Sequence, residues 1–149
     1  ALKQAAIAQV TAGEVVGFGC DVDQWLNRDW GSMDTKGFDY PLVLGTGFNM
    51  TKAQRLDYGE SLMTHAMVFT GVDLDEAGRP RRWKVENSWG EKSGNKGWYI
   101  MSDEWFDEYM YQVVVNKKYL TEEQRQQYEQ LPIELQPWDP MGSLAYFSF

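Results

Sequence analysis

The amino-acid sequence predicts an α+β fold built around a mainly antiparallel sheet. Residues 2–11 are rich in Ala and Gln and carry apolar residues at helical spacing. Residues 63–74 and 81–88 have the composition of strands, and the segment 75–80 between them contains Asp, Gly and Pro, which favour turns. Helices with Ser or Thr caps flank this hairpin along the chain, so we expect helices packed around one sheet.

The first half of the chain combines regular elements with one long loop. The first helix ends before Gly13, and residues 14–22 form a strand. Residues 27–47 are rich in Gly and Asp and predict a long ordered loop, a feature that is usually functional or interfacial. Residues 51–54 match a capping box and predict a short helix that ends near Gly59.

The second half adds two short strands and two helices. Residues 98–101 and 113–115 are the strands, and Ser102 caps a helix between them. Four large apolar residues share one face of that helix: Trp105, Phe106, Tyr109 and Met110. A second capping box at residues 121–124 begins a polar helix, which ends before Pro132.

The end of the chain has the composition of an extended arm. Residues 131–149 contain three prolines and little regular pattern. The sequence shows no internal repeat, low-complexity tract or linker between domains. We therefore expect residues 1–149 to form a single unit with an arm at residues 131–149.

Composition excludes several classes of function. The formal charge of −8 argues against nucleic-acid binding, which needs clustered Lys and Arg. No apolar segment is long enough for a membrane span, and no secretory signal is present. The single cysteine excludes an internal disulfide. These observations predict a cytoplasmic protein without membrane association.

One histidine and one asparagine are the candidate catalytic residues. His65 is the only histidine in the chain, and 22 positions later the sequence continues as Asn87-Ser88-Trp89-Gly90. A cysteine nucleophile needs an imidazole to accept its proton, and the imidazole needs an acceptor on its other nitrogen to fix its orientation. An Asn side chain supplies that acceptor, and Trp89 would shield the hydrogen bond from water.

Hairpin geometry predicts that His65 and Asn87 meet. If the turn centres near residue 76 or 77, His65 lies opposite residue 87 or one diagonal step from it. Both positions are odd-numbered, so the two side chains share a face if neither strand bulges. The same face would carry five apolar residues: Met63, Met67, Phe69, Trp83 and Val85.

Cys20 is the alternative nucleophile within the chain. Asp21 and Asp23 flank it, and nearby carboxylates raise a thiol pKa when activation requires a lower one. It also lies on an apolar strand, where a free cysteine behaves as a small hydrophobic residue. We therefore interpret Cys20 as structural. One His and one Cys fall short of a zinc site, so no metal is predicted.

Several motifs resemble papain-like cysteine peptidases, and more closely their bleomycin hydrolase and aminopeptidase C branch. The catalytic motifs that carry the resemblance are Thr64-His65-Ala66-Met67-Val68 and Lys84-Val85-Glu86-Asn87-Ser88-Trp89-Gly90. The further motifs are Gly19-Cys20-Asp21-Val22, Lys52-Ala53-Gln54-Arg55-Leu56, Ser61-Leu62-Met63-Thr64-His65-Ala66-Met67 and Trp138-Asp139-Pro140-Met141-Gly142. The similarity covers nearly the whole chain.

The resemblance implies that this chain is the C-terminal part of a cysteine aminopeptidase that hydrolyses peptides. His65 would be the catalytic base and Asn87 its orienter. The nucleophilic cysteine and an oxyanion-hole glutamine would belong to an N-terminal part that the chain lacks, so the chain alone would be inactive. The family implies no metal or cofactor, a cytosolic location and a hexameric assembly.

The family's C-terminal arm runs into the active-site cleft, where its carboxylate anchors the α-amino group of the substrate. By that likeness the region near Ala145 would bind substrate. Here the extension Tyr146–Phe149 would move the carboxylate by up to about 13 Å. Four alternatives stay open for it: it blocks the cleft, permits endopeptidase cleavage, folds aside, or is not part of the natural sequence.

A second function class is a stand-alone assembly or binding module without catalysis. Aromatic residues make up 15% of the chain, and part of this surplus would then form a surface for another protein.

Overall fold

The computed structural model describes residues 2–144. The α-helices in this range are α1 (Leu2–Thr11), α2 (Tyr40–Leu44), α3 (Lys52–Asp57), α4 (Asp103–Tyr109) and α5 (Glu122–Tyr128). The strands are β1 (Val16–Cys20), β2 (Leu26–Asn27), β3 (Ser32–Met33), β4 (His65–Leu74), β5 (Pro80–Glu86), β6 (Trp98–Ser102) and β7 (Met110–Val114). Two 3₁₀ helices cover Lys117–Tyr119 and Pro140–Leu144.

The strands of this range form one sheet in the order β2-β3-β6-β5-β4-β1-β7. Every neighbouring pair is antiparallel except β3 and β6, which run parallel. The predicted α+β class with a mainly antiparallel sheet is confirmed. The central β4–β5 hairpin is also the predicted one, and it contributes the longest strand.

Local capping signals locate the helices well. Helix α1 has the predicted bounds. The side chains of Thr51 and Thr121 each accept a hydrogen bond from the backbone N–H of the third helical residue, a glutamine in both helices. Each glutamine side chain in turn accepts from the backbone N–H of the threonine, so both capping boxes form. Ser102 accepts a hydrogen bond from the backbone of Trp105 at the start of α4.

The expected long loop over residues 27–47 is wrong in part. It contains β3 and α2, and β2 overlaps its start. Helix α2 follows Asp39, whose side chain accepts a hydrogen bond from Leu42, and it ends at Gly45 with φ of 67°. A glycine tolerates this left-handed conformation without steric cost. The two-residue strands depend on pairing with distant segments, which local pattern does not reveal.

An aromatic stack forms the centre of the core. Phe69 stacks on Phe18 with ring centroids 3.9 Å apart and contacts Trp83 at 4.7 Å. Phe106 from α4 covers Trp83 at 4.8 Å. Burial of each such side chain stabilises the fold by about 1.5–3 kcal/mol. Ala6 of α1 packs on the same cluster, so both helices are held against the sheet.

The predicted arm is extended only in its first part. Residues 131–139 contain no helix or strand, and Leu131, Ile133 and Trp138 on it are strongly exposed. The arm then turns into the second 3₁₀ helix, where the Ser143 carbonyl accepts a hydrogen bond from the Met63 backbone at 3.3 Å. Ala145 and the extension Tyr146–Phe149 lie outside the described residues.

Among the described residues, no helix combines the length and the apolar character that crossing a membrane requires.

Candidate active site

The register of the β4–β5 hairpin brings the two predicted residues together. Phe69 pairs with Val85, and continuing this register puts Asn87 opposite Met67, one diagonal step from His65. A β-bulge does occur, because Phe69 pairs with Val85 while Gly71 pairs with Lys84. The bulge lies on the far side of Phe69, so the parity between His65 and Asn87 is kept.

The predicted apolar face also forms, with one exception. Met67, Phe69, Trp83 and Val85 are all buried in the core. Met63 lies before the start of β4 and is only half-buried.

His65 and Asn87 are joined by a hydrogen bond. His65 Nε2 lies 2.9 Å from Asn87 Oδ1, and the asparagine is only 8% exposed. The Ser88 backbone N–H also donates to Asn87 Oδ1, at 2.7 Å. Two groups bond to this one atom, and the Ser88 N–H can only donate. The atom must therefore be the amide oxygen of Asn87, because an NH2 group in its place could not accept the Ser88 hydrogen. His65 Nε2 therefore carries a proton.

This hydrogen bond selects one tautomer of the neutral imidazole. Because Nε2 holds the proton, Nδ1 of His65 carries the free lone pair. No described residue bonds to Nδ1. The ring thus presents a proton acceptor at Nδ1, while the amide behind it would stabilise the charged ring after protonation.

Trp89 covers the pair on one side. Its ring centroid lies 4.8 Å from that of His65, with the planes inclined by 26°. Tyr99 meets the indole edge-on at 6.3 Å. The guanidinium of Arg28 lies 4.4 Å from the indole centroid. A stacked indole excludes water from one face of the imidazole and restricts ring rotation.

The backbone around Asn87 fixes its position. Its N–H donates to the Gly97 carbonyl at 3.1 Å, which ties the end of β5 to the loop before β6. Asn87 Nδ2 is buried and has no hydrogen-bond partner among the described residues. An unpaired buried amide donor costs free energy, so this site is less well satisfied than the core.

Cys20 lies unexpectedly close to the histidine. The register pairs Cys20 of β1 directly with His65 of β4, so the two side chains share a face. The thiol is fully buried, however, and the hydrogen bonds of the described residues include none between it and His65. Burial, with smaller contributions from Asp21 and Asp23, raises the pKa of the Cys20 thiol far above its usual range. Such a thiol is a poor nucleophile.

One large cavity on the described residues lies away from these side chains. It measures about 1360 Å³, and its lining includes Trp25, Tyr40, Phe48 and Arg55 but none of His65, Asn87 and Trp89. Within residues 2–144, no three His, Cys, Asp or Glu side chains are grouped so that they could hold a metal ion.

Three side chains around the site were missed by sequence reasoning. Arg28 lies over the Trp89 indole, and Ser61 contacts both Tyr111 and Asp21, the residue after Cys20. Ser61 lies inside a motif that resembles the bleomycin hydrolase branch, which was the available signal. Tyr111 and Arg28 carry no local signal, because only the tertiary fold brings them there.

Comparison with known proteins identifies the class. The Peptidase C1-like family model matches residues 1–142, so the chain belongs to that family. It is 57% identical over 143 residues to aminopeptidase C of Lactococcus lactis subsp. lactis, covering 96% of this chain. It is 51% identical over 147 residues to human bleomycin hydrolase, covering 97% of this chain. The predicted resemblance is confirmed.

A solved structure agrees with this assignment. The crystal structure of PepW from Lactobacillus rhamnosis HN001 superposes with a TM-score of 0.87 at 55% identity and covers 96% of this chain. The chain spans about a third of the curated relatives' length, 33% of the Lactococcus protein and 32% of the human one.

Proposed function

We propose that this chain is the base-bearing part of a cysteine peptidase that hydrolyses peptide bonds. The observation that carries the proposal is the hydrogen bond from His65 Nε2 to Asn87 Oδ1, which leaves Nδ1 as the free proton acceptor. His65 is the general base and acid, Asn87 orients it, and Trp89 shields their bond.

The chemistry follows from the tautomer. Nδ1 of His65 takes the proton of a cysteine thiol, and the thiolate attacks the peptide carbonyl. The resulting imidazolium returns the proton to the leaving amine, and an acyl-thioester remains on the sulfur. Water, deprotonated by the same imidazole, then cleaves the thioester and restores the thiol. Asn87 holds the ring in place through each transfer.

The nucleophile comes from outside these 149 residues. Cys20 is buried and its thiol pKa is raised, which leaves it unsuited to attack. We propose that residues 1–149 form a single C-terminal subdomain and that an N-terminal part supplies the nucleophilic cysteine. The relatives' length, about three times that of this chain, supports this division. On this proposal the chain alone is inactive.

The proposed specificity is that of an aminopeptidase. Relatives at 51–57% identity carry the name aminopeptidase C, and others that of bleomycin hydrolase. The arm also supports it, because the hydrogen bond between Met63 and Ser143 brings the arm within two residues of His65. Substrate anchoring near Ala145 and the effect of Tyr146–Phe149 remain part of the proposal. The proposal also includes a cytoplasmic location and a homo-oligomeric assembly, a hexamer.

Replacement of the base tests the proposal. In the full-length protein, His65→Ala should lower kcat/KM on an aminoacyl arylamide by about four orders of magnitude or more, because the thiol loses its proton acceptor. Cys20→Ala is the control and should stay within about tenfold of the parent. Near-parental activity of His65→Ala would refute the proposed function, and loss of activity in Cys20→Ala would make Cys20 the nucleophile.

N-acetylation of the substrate tests the specificity. An aminopeptidase recognises the free α-amino group, so the acetylated arylamide should be cleaved far more slowly than the free one. Equal rates on both substrates would instead indicate an endopeptidase.

Exposed apolar residues favour a second function, that of a non-catalytic binding module. Leu42 and Val43 on α2 are each 80% exposed, and Trp30 is 72% exposed. Such surfaces mark contacts with another polypeptide. The mass of the native assembly separates the two functions. A module would bind an unrelated protein and show no turnover even at full length, whereas a peptidase would cover this surface with its own remaining chain or another copy.

A further inference from the structure

A β-bulge on the edge strand β7 lies across β1 from the start of β4, where His65 is placed. Gly19 of β1 pairs with Gln112 of β7, but the next residue, Cys20, pairs with Met110. Tyr111 is therefore the extra residue of the bulge. Bulges occur beside active sites because they turn one side chain away from the regular alternation of the strand.

The bulge directs the half-buried Tyr111 to two buried side chains, those of Ser61 and Asp21, which together form a relay. Ser61 Oγ donates to Asp21 Oδ2 at 2.7 Å and lies 2.6 Å from the Tyr111 hydroxyl. Because Ser61 has one hydroxyl proton and gives it to Asp21, the Tyr111 hydroxyl must donate to Ser61 Oγ. Ser61 is fully buried and Asp21 is 4% exposed. Burial also raises the pKa of Tyr111, which keeps its hydroxyl protonated.

The relay ties together the segments on either side of the pair Cys20–His65. Asp21 follows Cys20, and Ser61 lies in the segment that enters β4 at His65. Thr64 reinforces the same junction: its N–H donates to the Cys20 carbonyl at 2.9 Å, and its hydroxyl accepts from the Val22 N–H at 3.0 Å. The relay therefore ties the residue after β1 to the segment that leads into β4, at the end of each strand that carries this pair.

We propose that Asp21, Ser61 and Tyr111 are positioning residues for His65. The relay fixes where β4 begins and so holds Nδ1 of the imidazole at the distance and angle that proton transfer from the thiol requires. This inference rests on the proposed role of His65 as the base. None of the three side chains touches the reacting atoms, so their effect passes through the backbone.

Single-hydroxyl deletions in the full-length protein test the relay. Tyr111→Phe removes one donor and leaves the ring, which has Lys52 Nζ 4.7 Å from its centroid. We expect kcat to fall roughly 5-fold with KM nearly unchanged, in line with the loss of one hydrogen bond. Ser61→Ala interrupts the relay at its centre, and its effect should be larger.

The active-site thiol provides a second readout. This readout would not change if the three relay residues had only a structural role. The rate of inactivation by iodoacetamide, measured against pH, reports the thiolate held by the imidazolium. A displaced His65 holds the thiolate less well, so the apparent pKa of inactivation should rise toward that of an ordinary, unpaired thiol. Cys20 does not interfere, because it is fully buried and loss of activity is the signal.

Tyr119→Phe is the matched control. It also removes one hydroxyl, which donates to Glu14 Oε1 at 2.8 Å in a contact that includes none of the relay residues. Its kcat and inactivation profile should match the parent. If Tyr111→Phe behaves like Tyr119→Phe in both readouts, the relay does not position His65 and the inference is overturned, even if Ser61→Ala fails to fold. If His65→Ala retains activity, the proposed function itself fails, independently of the relay.

Discussion

The β4–β5 hairpin has a core end and a site end, and they differ in how well their side chains are satisfied. At the core end, Phe69 and Trp83 are fully buried, and Trp83 Nε1 donates to Asp103 at 3.0 Å. At the site end, neither Asn87 Nδ2, which is buried, nor His65 Nδ1 has a hydrogen-bond partner among residues 2–144. The same two strands therefore combine a closed apolar core with an incompletely satisfied polar pair.

This difference indicates what each end of the hairpin contributes: stability at the core end and proton exchange at the site end. Close packing at Phe69 stabilises the fold, because every face of the ring meets another apolar group. An unsatisfied polar pair stabilises little, but its free nitrogen can exchange protons. Substitutions at the core end should change the free energy of unfolding, and substitutions at the site end should change turnover.

The largest effect on stability is expected at Phe69. Phe69→Ala in the full-length protein should lower the free energy of unfolding by about 3–5 kcal/mol, since it opens a cavity between Phe18 and Trp83. Phe69→Leu keeps most of the apolar volume and should cost less. Urea unfolding of both variants and of His65→Ala measures the contrast. An equal loss of stability in His65→Ala and Phe69→Ala would remove the distinction between the two ends.

The next largest effect is expected for Asn87→Ala, and it should be a decrease in turnover. Loss of a hydrogen bond to the charged imidazole corresponds to about 1.5–3 kcal/mol, or a decrease in kcat of roughly 10- to 150-fold. Asn116→Ala is the matched control, because Asn116 Oδ1 likewise accepts from a nearby backbone N–H, that of Lys118. Steady-state kinetics of both variants measure the difference, and equal activities would remove Asn87 from the mechanism.

The smallest effect is the pH dependence of stability that Cys20 contributes. Burial raises the pKa of the Cys20 thiol in the folded chain, whereas the thiol of the unfolded chain titrates near 9.0. Above that pH the unfolded chain loses a proton that the folded chain keeps, so the free energy of unfolding falls as pH rises. The slope should approach about 1.4 kcal/mol per pH unit.

Cys20→Ala removes this titration and serves as its control. Between pH 7.5 and pH 10, the free energy of unfolding measured in urea should fall by about 1.4 kcal/mol more in the parent than in Cys20→Ala. Near neutral pH the thiol is protonated in both the folded and the unfolded chain, so it contributes nothing there. Parallel behaviour of the two proteins would mean that the Cys20 thiol is accessible to solvent, and it would reopen Cys20 as a nucleophile.

The sequence predicted local elements better than elements that depend on distant partners. Helices α1, α3, α4 and α5 carry their own caps or helical spacing, so their positions were predictable. Helix α2 also carries caps, Asp39 and Gly45, but its five residues are too short for a periodic pattern. Strands β2 and β3 exist because β3 pairs with β6, more than 60 residues away in sequence.

The sequence by itself determined the meeting of His65 and Asn87. Equal parity and a turn of known length put two side chains on one face of a hairpin, because alternation in a strand has a period of two. The structure decided that Asn87 lies diagonally rather than directly opposite, because parity does not fix the register of the hairpin, which shifts at Asp73/Leu74 and shifts back at Phe69/Gly71. It also decided that Cys20 faces His65 across β1 and that Tyr111 reaches Ser61. Those contacts join strands far apart in the chain, and no local periodicity records which strands will be neighbours.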